Sequence, residues 1–170
     1  VMAVTIDGVG EISGVTKGLG KVLQVVQATT NSSVATTNTS YVDTDLTANI
    51  TPSSITSKIL VLISQAFYVG SSSDRTHSIA VSVNRAGTTV YEVAGTNNSV
   101  YGALGHRAGT GSGDFTEGSA SISINYLDAP ASTSALTYKT QFKVDTNATT
   151  NARAQGYAVN SSIILLEVAA

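Results

Sequence analysis

A chain of 170 residues is the size of one domain and is long enough to bury a core without metal or disulfide staples. It has no cysteine, which removes disulfides, thiolate nucleophiles and Cys-based metal sites together. Charged residues are only 12%, the formal net charge is −2 and no run of Lys or Arg occurs, so neither nucleic acid nor an anionic membrane is an expected partner.

The longest apolar run, Ile59-Leu60-Val61-Leu62-Ile63, is far too short for a membrane-spanning helix. Val1-Met2-Ala3-Val4 lacks the basic lead of a signal peptide, and a chain opening on Val before Met is expected to be processed or a fragment. Abundant Ser and Thr with low charge suit disorder, but 42% hydrophobic residues gathered into β-branched runs require a partner surface. The chain is expected to fold.

In chain order, Thr5 to Gly20 carries five glycines, too many for a stable helix or central strand, and residues 1–20 read as a tether or docking arm. A single domain is expected over residues 21–170. Val22 to Ala28 is the first strong strand, and Thr29 to Asn38 is a polar strand or loop. Tyr41 to Ile50 alternates, with Val42, Leu46, Ala48 and Ile50 inward, and Pro52 closes it. Lys58 to Val69 is apolar on both parities, the pattern of a strand covered on both faces. His77 to Arg85 alternates and turns at Ala86-Gly87 into Thr88 to Val93, a hairpin with Gly87 at positive φ. Asn97 to Gly118 is Gly-rich and irregular, and so long a loop is either functional or folded around a short strand such as Tyr101 to Leu104. Ser119 to Leu127 sets Ala120, Ile122, Ile124 and Tyr126 against Ser121, Ser123 and Asn125. Ala135 to Asp145 places Leu136, Tyr138, Phe142 and Val144 on one face and Lys139, Gln141 and Lys143 on the other. Asn147 to Gln155 reads as a polar turn, and Ser161 to Val168 as a final strand, apolar on both parities.

Eight to ten strands with no sustained helical period predict an all-β fold. Two face-packed antiparallel sheets follow, a β-sandwich of jelly-roll or Greek-key connectivity behind an extended Gly-rich N-terminal tether.

Catalytic chemistry finds little footing. A Ser-His-Asp relay needs a nucleophile, a base and an orienting group in contact, and His77 and His106 are the two histidines. Gly111-Ser112-Gly113 lacks the spacing of a nucleophile elbow. Asp43 with Asp45, and Asp114 with Glu117, are the closest carboxylate pairs for glycan hydrolysis, and the first pair reads better as a strand edge. Asp74 with His77, or Asp114 with Glu117, falls short of a complete metal-ligand set, so no metal, cofactor or enzymatic activity is expected. Asn31, Asn38, Asn49, Asn97, Asn147 and Asn160 open Asn-x-Ser/Thr triplets, which arise by chance in so Thr- and Ser-rich a chain. Carbohydrate recognition wants exposed aromatic rings with polar partners, and Tyr101, His106, Arg107, Asp114 and Glu117 form the local candidate set. Ile59, Val61 and Ile63, with Ile163 and Leu165, are the candidate carriers of a buried surface between copies of the chain.

The segments Gly20-Lys21-Val22-Leu23-Gln24-Val25-Val26, Ser40-Tyr41-Val42-Asp43-Thr44, Ile50-Thr51-Pro52-Ser53-Ser54 and Ser57-Lys58-Ile59-Leu60-Val61, with the closing Ser162 to Ala170, resemble a C-terminal β-rich module of tailed-bacteriophage tail fibres and related virion structural proteins. The resemblance spans about Gly20 to Ala170 and is weakest in the Gly-rich middle. It implies a virion-surface location on tail or head, assembly as a homotrimer, and packing against other virion proteins. Host-surface glycan or protein binding through residues 97–118, and a capsid decoration or collar role, are the alternatives.

Overall fold

The computed structural model describes residues 5–6, 12–13, 21–71, 76–94, 103–107, 116–144 and 150–169. The strands are β1 (Thr5–Ile6), β2 (Ile12–Ser13), β3 (Val22–Thr30), β4 (Val34–Thr36), β5 (Val42–Ile50), β6 (Lys58–Ser71), β7 (Thr76–Arg85), β8 (Thr88–Val93), β9 (Leu104–Arg107), β10 (Thr116–Asp128), β11 (Leu136–Val144), β12 (Thr150–Ala154) and β13 (Ser161–Val168). A single 3-10 turn, Gly156–Ala158, is the helical element among the described residues.

Two antiparallel sheets form the body. In the first, β3 pairs β13, β13 pairs β6, and β10 runs along the other edge of β6. In the second, the order is β5-β11-β7-β8. β4, β12 and β9 extend the columns of β3, β13 and β8, since β12 takes up β6 where β13 leaves it and β9 does the same on β7. Numbering the eight principal strands along the chain gives orders 1-8-3-6 and 2-7-4-5. That interleaving, with successive strands passing between two packed sheets, is jelly-roll connectivity.

The core is where period two places it. Inward residues of the first sheet, Ile59, Val61, Ile63, Phe67, Val69, Ile163 and Leu165, face Leu46, Ile79, Val81, Val83, Tyr138 and Phe142 of the second. Phe67 meets Phe142 across the sheets at 5.7 Å between ring centroids, and Tyr91 meets Tyr126 at 5.1 Å. The Ala86-Gly87 turn places both residues at positive φ, 48° and 93°, the backbone of a tight hairpin whose twist matches its strands.

Three irregularities line up across the molecule. The first sheet is interrupted between β3 and β4 and again between β12 and β13, while β6 and β10 pass beside both gaps unbroken. On the facing sheet, Asp45 (φ 64°) sits in a bulge of β5 opposite Thr140 of β11. A buried polar seam joins these points. Gln65 donates to Thr44 Oγ1 at 2.9 Å, and the Thr44 and Thr140 hydroxyls meet at 2.5 Å. The fully buried Gln155 amide is oriented with its nitrogen toward the carbonyls of Ser32 (3.1 Å) and Thr44 (3.0 Å) and its oxygen accepting from Gln65 (2.6 Å); the opposite orientation sets oxygen against carbonyl. The seam satisfies backbone groups that the interrupted ladders leave open.

One sequence-based expectation changes. Residues 150–154, expected in a polar turn, form β12, because small Ala152 and Ala154 alternate with Asn151 and Arg153 and are buried against β6. A short strand runs over Leu104–Arg107, paired with the start of β7, and Tyr101 and Gly102 of the strand expected at Tyr101 to Leu104 lie outside the described residues. Within the N-terminal segment, Thr5–Ile6 and Ile12–Ser13 pair with each other.

Candidate functional site

The outer face of the first sheet divides into two halves of different chemistry. Residues directly opposite in an antiparallel ladder share a face, so the register reads as rows across the sheet. One row is Val25, Leu166, Leu60 and Leu127, drawn from β3, β13, β6 and β10. Val25 is 59% exposed and Leu127 50%, with Leu60 and Leu166 half-buried between them. The next row is Gln27, Ile164, Leu62 and Asn125, and the one after is Thr29, Ser162, Ser64 and Ser123. Apolar surface therefore gives way to hydroxyls within two rows. Exposed Val22 and Leu23 extend the apolar end along β3.

Beyond the hydroxyl row, the same face carries an aromatic cleft of about 210 Å³, lined by Ala66, Phe67, Tyr68, Ser119, Ala120, Ser121, Gly156, Tyr157 and Val159. Tyr68 lies opposite Arg153 on one side and Ser119 on the other. Its hydroxyl donates to Glu117 at 2.6 Å. Burial and that carboxylate together push the phenol up to about 12, so it remains a donor at neutral pH. Tyr157 meets Tyr68 edge-on at 6.2 Å and 87°, and is 78% exposed.

At the apolar end a buried carboxylate locks the loop between β5 and β6. Glu167 is fully buried and accepts from Gln24 Nε2 (2.6 Å), Ser53 N (2.7 Å) and Ser53 Oγ (2.6 Å). Burial raises its pKa, but these donors outweigh burial and hold it at about 2. A second buried carboxylate, Asp128, receives Arg85 Nη1 at 2.5 Å and the Tyr138 hydroxyl at 2.6 Å. Both tie strands together.

The sequence-predicted residues fall as follows. Ile59, Val61, Ile63, Ile163 and Leu165 are in the sandwich interior, 3% exposed or less. On these two strands it is the opposite parity, Leu60, Leu62, Ile164 and Leu166, that a neighbour can reach. Glu117 is exposed and bound to Tyr68. His106 and Arg107 lie in β9, with His106 opposite His77 and Arg107 opposite Thr76 in the ladder. Tyr101, Asp114, Asp74 and Gly111-Ser112-Gly113 lie outside the described residues. Asp43 accepts from Lys139 and Gln141 at 2.7 Å each; these bonds overcome the upward push of burial and keep its pKa below the usual range. Asp43 and Asp45 are exposed strand-edge carboxylates, as the sequence suggests. Among the described residues, no group of three or more His, Asp or Glu is placed to hold a metal, and no helix is long and apolar enough to cross a membrane.

The exposed Tyr157 and the row ending in Leu127 escape a reading by strand period alone. Leu127 had a legible signal: it breaks the polar parity Ser121, Ser123, Asn125. Tyr157 had a fainter one, a lone aromatic beside glycine in a polar stretch.

No family model matches this chain, and no curated protein matches it. Among the solved structures that match are several of infectious bursal disease virus. The D431N mutant VP2 protein in derived T=1 particles matches at 13% identity with a TM-score of 0.39, over 98% of this chain and 40% of that one. The VP2 subviral particle matches at 11% identity with a TM-score of 0.39, over 99% and 44%, and the T13 viral particle at 14% with 0.36, over 99% and 42%. The chain thus spans about two fifths of the length of those proteins. These matches are to viral particles, and the bacteriophage tail-fibre resemblance drawn from the two ends of the sequence is withdrawn. The jelly-roll assignment rests on strand order.

Proposed function

We propose that this chain is a non-enzymatic structural subunit of a virion surface, of the capsid or capsid-decoration kind, packing against copies of itself and other virion proteins. The carrying observation is the exposed row Val25-Leu166-Leu60-Leu127 with its neighbours Val22 and Leu23, an apolar strip across all four columns of one sheet. Monomeric proteins keep such surface in small pieces, and a flat apolar strip with a hydroxyl border suits a neighbouring subunit. The architecture supports the same reading, since jelly rolls recur in viral capsid and lectin domains and in cupins. The cupin branch is disfavoured because the interior here is filled by Leu46, Phe67, Tyr138 and Phe142.

Light scattering on the purified chain tests the proposal. The expected mass is a multiple of 17.3 kDa greater than one. The double variant V25N/L127N, altered only at exposed positions, is expected to shift it toward the monomer with secondary structure retained. A wild-type chain that stays monomeric across micromolar to millimolar concentration, and binds no other virion protein, overturns it.

A further inference from the structure

The aromatic cleft at the other end of that face has features that packing alone does not require. Gln155, Tyr157 and Ala158 all have positive φ (52°, 59° and 57°), a region that side-chain-bearing residues rarely adopt. Gln155 has a structural reason, because its conformation delivers its amide to the buried seam. Tyr157 and Ala158 complete the left-handed turn, which Ala158 N–H closes onto the Gln155 carbonyl (3.1 Å) and Val159 N–H onto the Gly156 carbonyl (3.4 Å). Their backbone turns an aromatic ring outward instead of burying it, and strain of this kind gathers where a ligand is held.

The neighbouring glycines shape the second ring. A Cβ on Gly70 would stand 2.6 Å from the Tyr68 hydroxyl oxygen, and one on Gly156 would stand 3.3 Å from Tyr68 Cβ. The Tyr68 phenol thus lies along β6 in space that only glycine leaves, which brings its hydroxyl onto Glu117. The result is an exposed ring, a second ring edge-on to it, a small hydroxylated floor at Ser119 and Ser121, and one acid and one base, Glu117 and Arg153, on the flanking strands. The apolar floor, at Ala66, Ala120 and Val159, is too small to seat an apolar peptide, and a charged ligand would meet both signs. A neutral molecule with one C–H face and a rim of hydroxyls matches both the ring and the polar border.

We propose that this cleft is a carbohydrate subsite for one pyranose ring, its C–H face stacked on Tyr157 and its hydroxyls directed to Glu117 and Arg153. It lies apart from the apolar strip, so the two surfaces operate independently, one toward neighbouring subunits and one toward a glycan. Its size limits it to a single ring, and binding of an isolated monosaccharide is weak, with Kd on the order of millimolar; repeated copies in an assembly would raise the avidity.

The test is saturation-transfer NMR on the whole chain with the methyl glycosides of glucose, galactose and N-acetylglucosamine. At least one is expected to receive saturation at its ring C–H protons, and Tyr157→Ala, at a mostly exposed position, is expected to cut that signal at least fivefold with the melting temperature unchanged. Gly70→Ala provides the second arm: by displacing Tyr68 it should weaken binding severalfold while Tyr157 stays in place. Absence of transfer to all three glycosides, or transfer undiminished in Tyr157→Ala, overturns the assignment.

Discussion

Replacing Glu167 by Gln tests how strongly one buried carboxylate fixes the β5–β6 loop. One carboxylate oxygen accepts from both Ser53 N and Ser53 Oγ, and the other from Gln24 Nε2, which also donates to the Thr51 carbonyl at 2.7 Å. An amide keeps one acceptor. With its oxygen on Ser53, its nitrogen opposes the Gln24 nitrogen, donor against donor; turning Gln24 over relieves this only by losing Thr51. At least one bond to a charged acceptor is lost and two more lose their charge assistance, for a cost of about 2–4 kcal/mol. The pH dependence fixes the sign. The folded pKa is depressed from 4.5 to about 2, so the carboxylate's contribution is fully present above pH 4.5 and disappears as pH falls through about 2. Urea unfolding of both proteins between pH 7 and pH 2 is the assay. The stability gap is expected to be constant down to about pH 4.5 and to close toward pH 2 as the wild-type group is protonated. A gap that is negligible at pH 7, or undiminished at pH 2, would refute the reasoning.

Three further outcomes follow from other buried or strained groups. Gln155→Leu removes the amide that satisfies the Ser32 and Thr44 carbonyls, and is expected to cost about 2–3 kcal/mol in urea unfolding, with hydrogen exchange accelerated first near residues 31–33. Tyr138→Phe deletes the hydroxyl donating to Asp128 but leaves Arg85 in place, so a smaller loss of about 1–2 kcal/mol is expected by thermal or urea melts. Gly87→Ala meets open space but must hold φ 93°; destabilisation of about 1 kcal/mol or more is expected, and Gly87→Asn should recover part of it.

Much of the framework was legible because strand period is a local property. Leu136, Tyr138, Phe142 and Val144 alternate with Lys139, Gln141 and Lys143 in the sequence, and the structure buries the first set. Gly87 at positive φ followed from its place in a two-residue turn. β12 was not legible, since two buried alanines carry almost no hydrophobic signal and owe their burial to β6. Parity also misled at the doubly apolar strands: nothing local distinguishes Ile59, Val61 and Ile63 from Leu60 and Leu62. Only pairing to β10 and β13, with the second sheet beneath, decides which set becomes interior. The aromatic cleft depends on residues 68, 117, 153 and 157, brought together by a register the sequence does not print, so in the sequence Glu117 reads as part of the 97–118 loop and the cleft is not legible.

The gap between β12 and β13 has a consequence for how such a protein can diversify. Ladder pairing to β6 is complete on both sides of it, and the Gln155 amide seals the interior just before the chain leaves the sheet. Residues 157–160 are therefore an exposed outgrowth whose length and side chains can change while the barrier beneath them stays shut. Selection can redraw what this face shows to its surroundings there without renegotiating the fold.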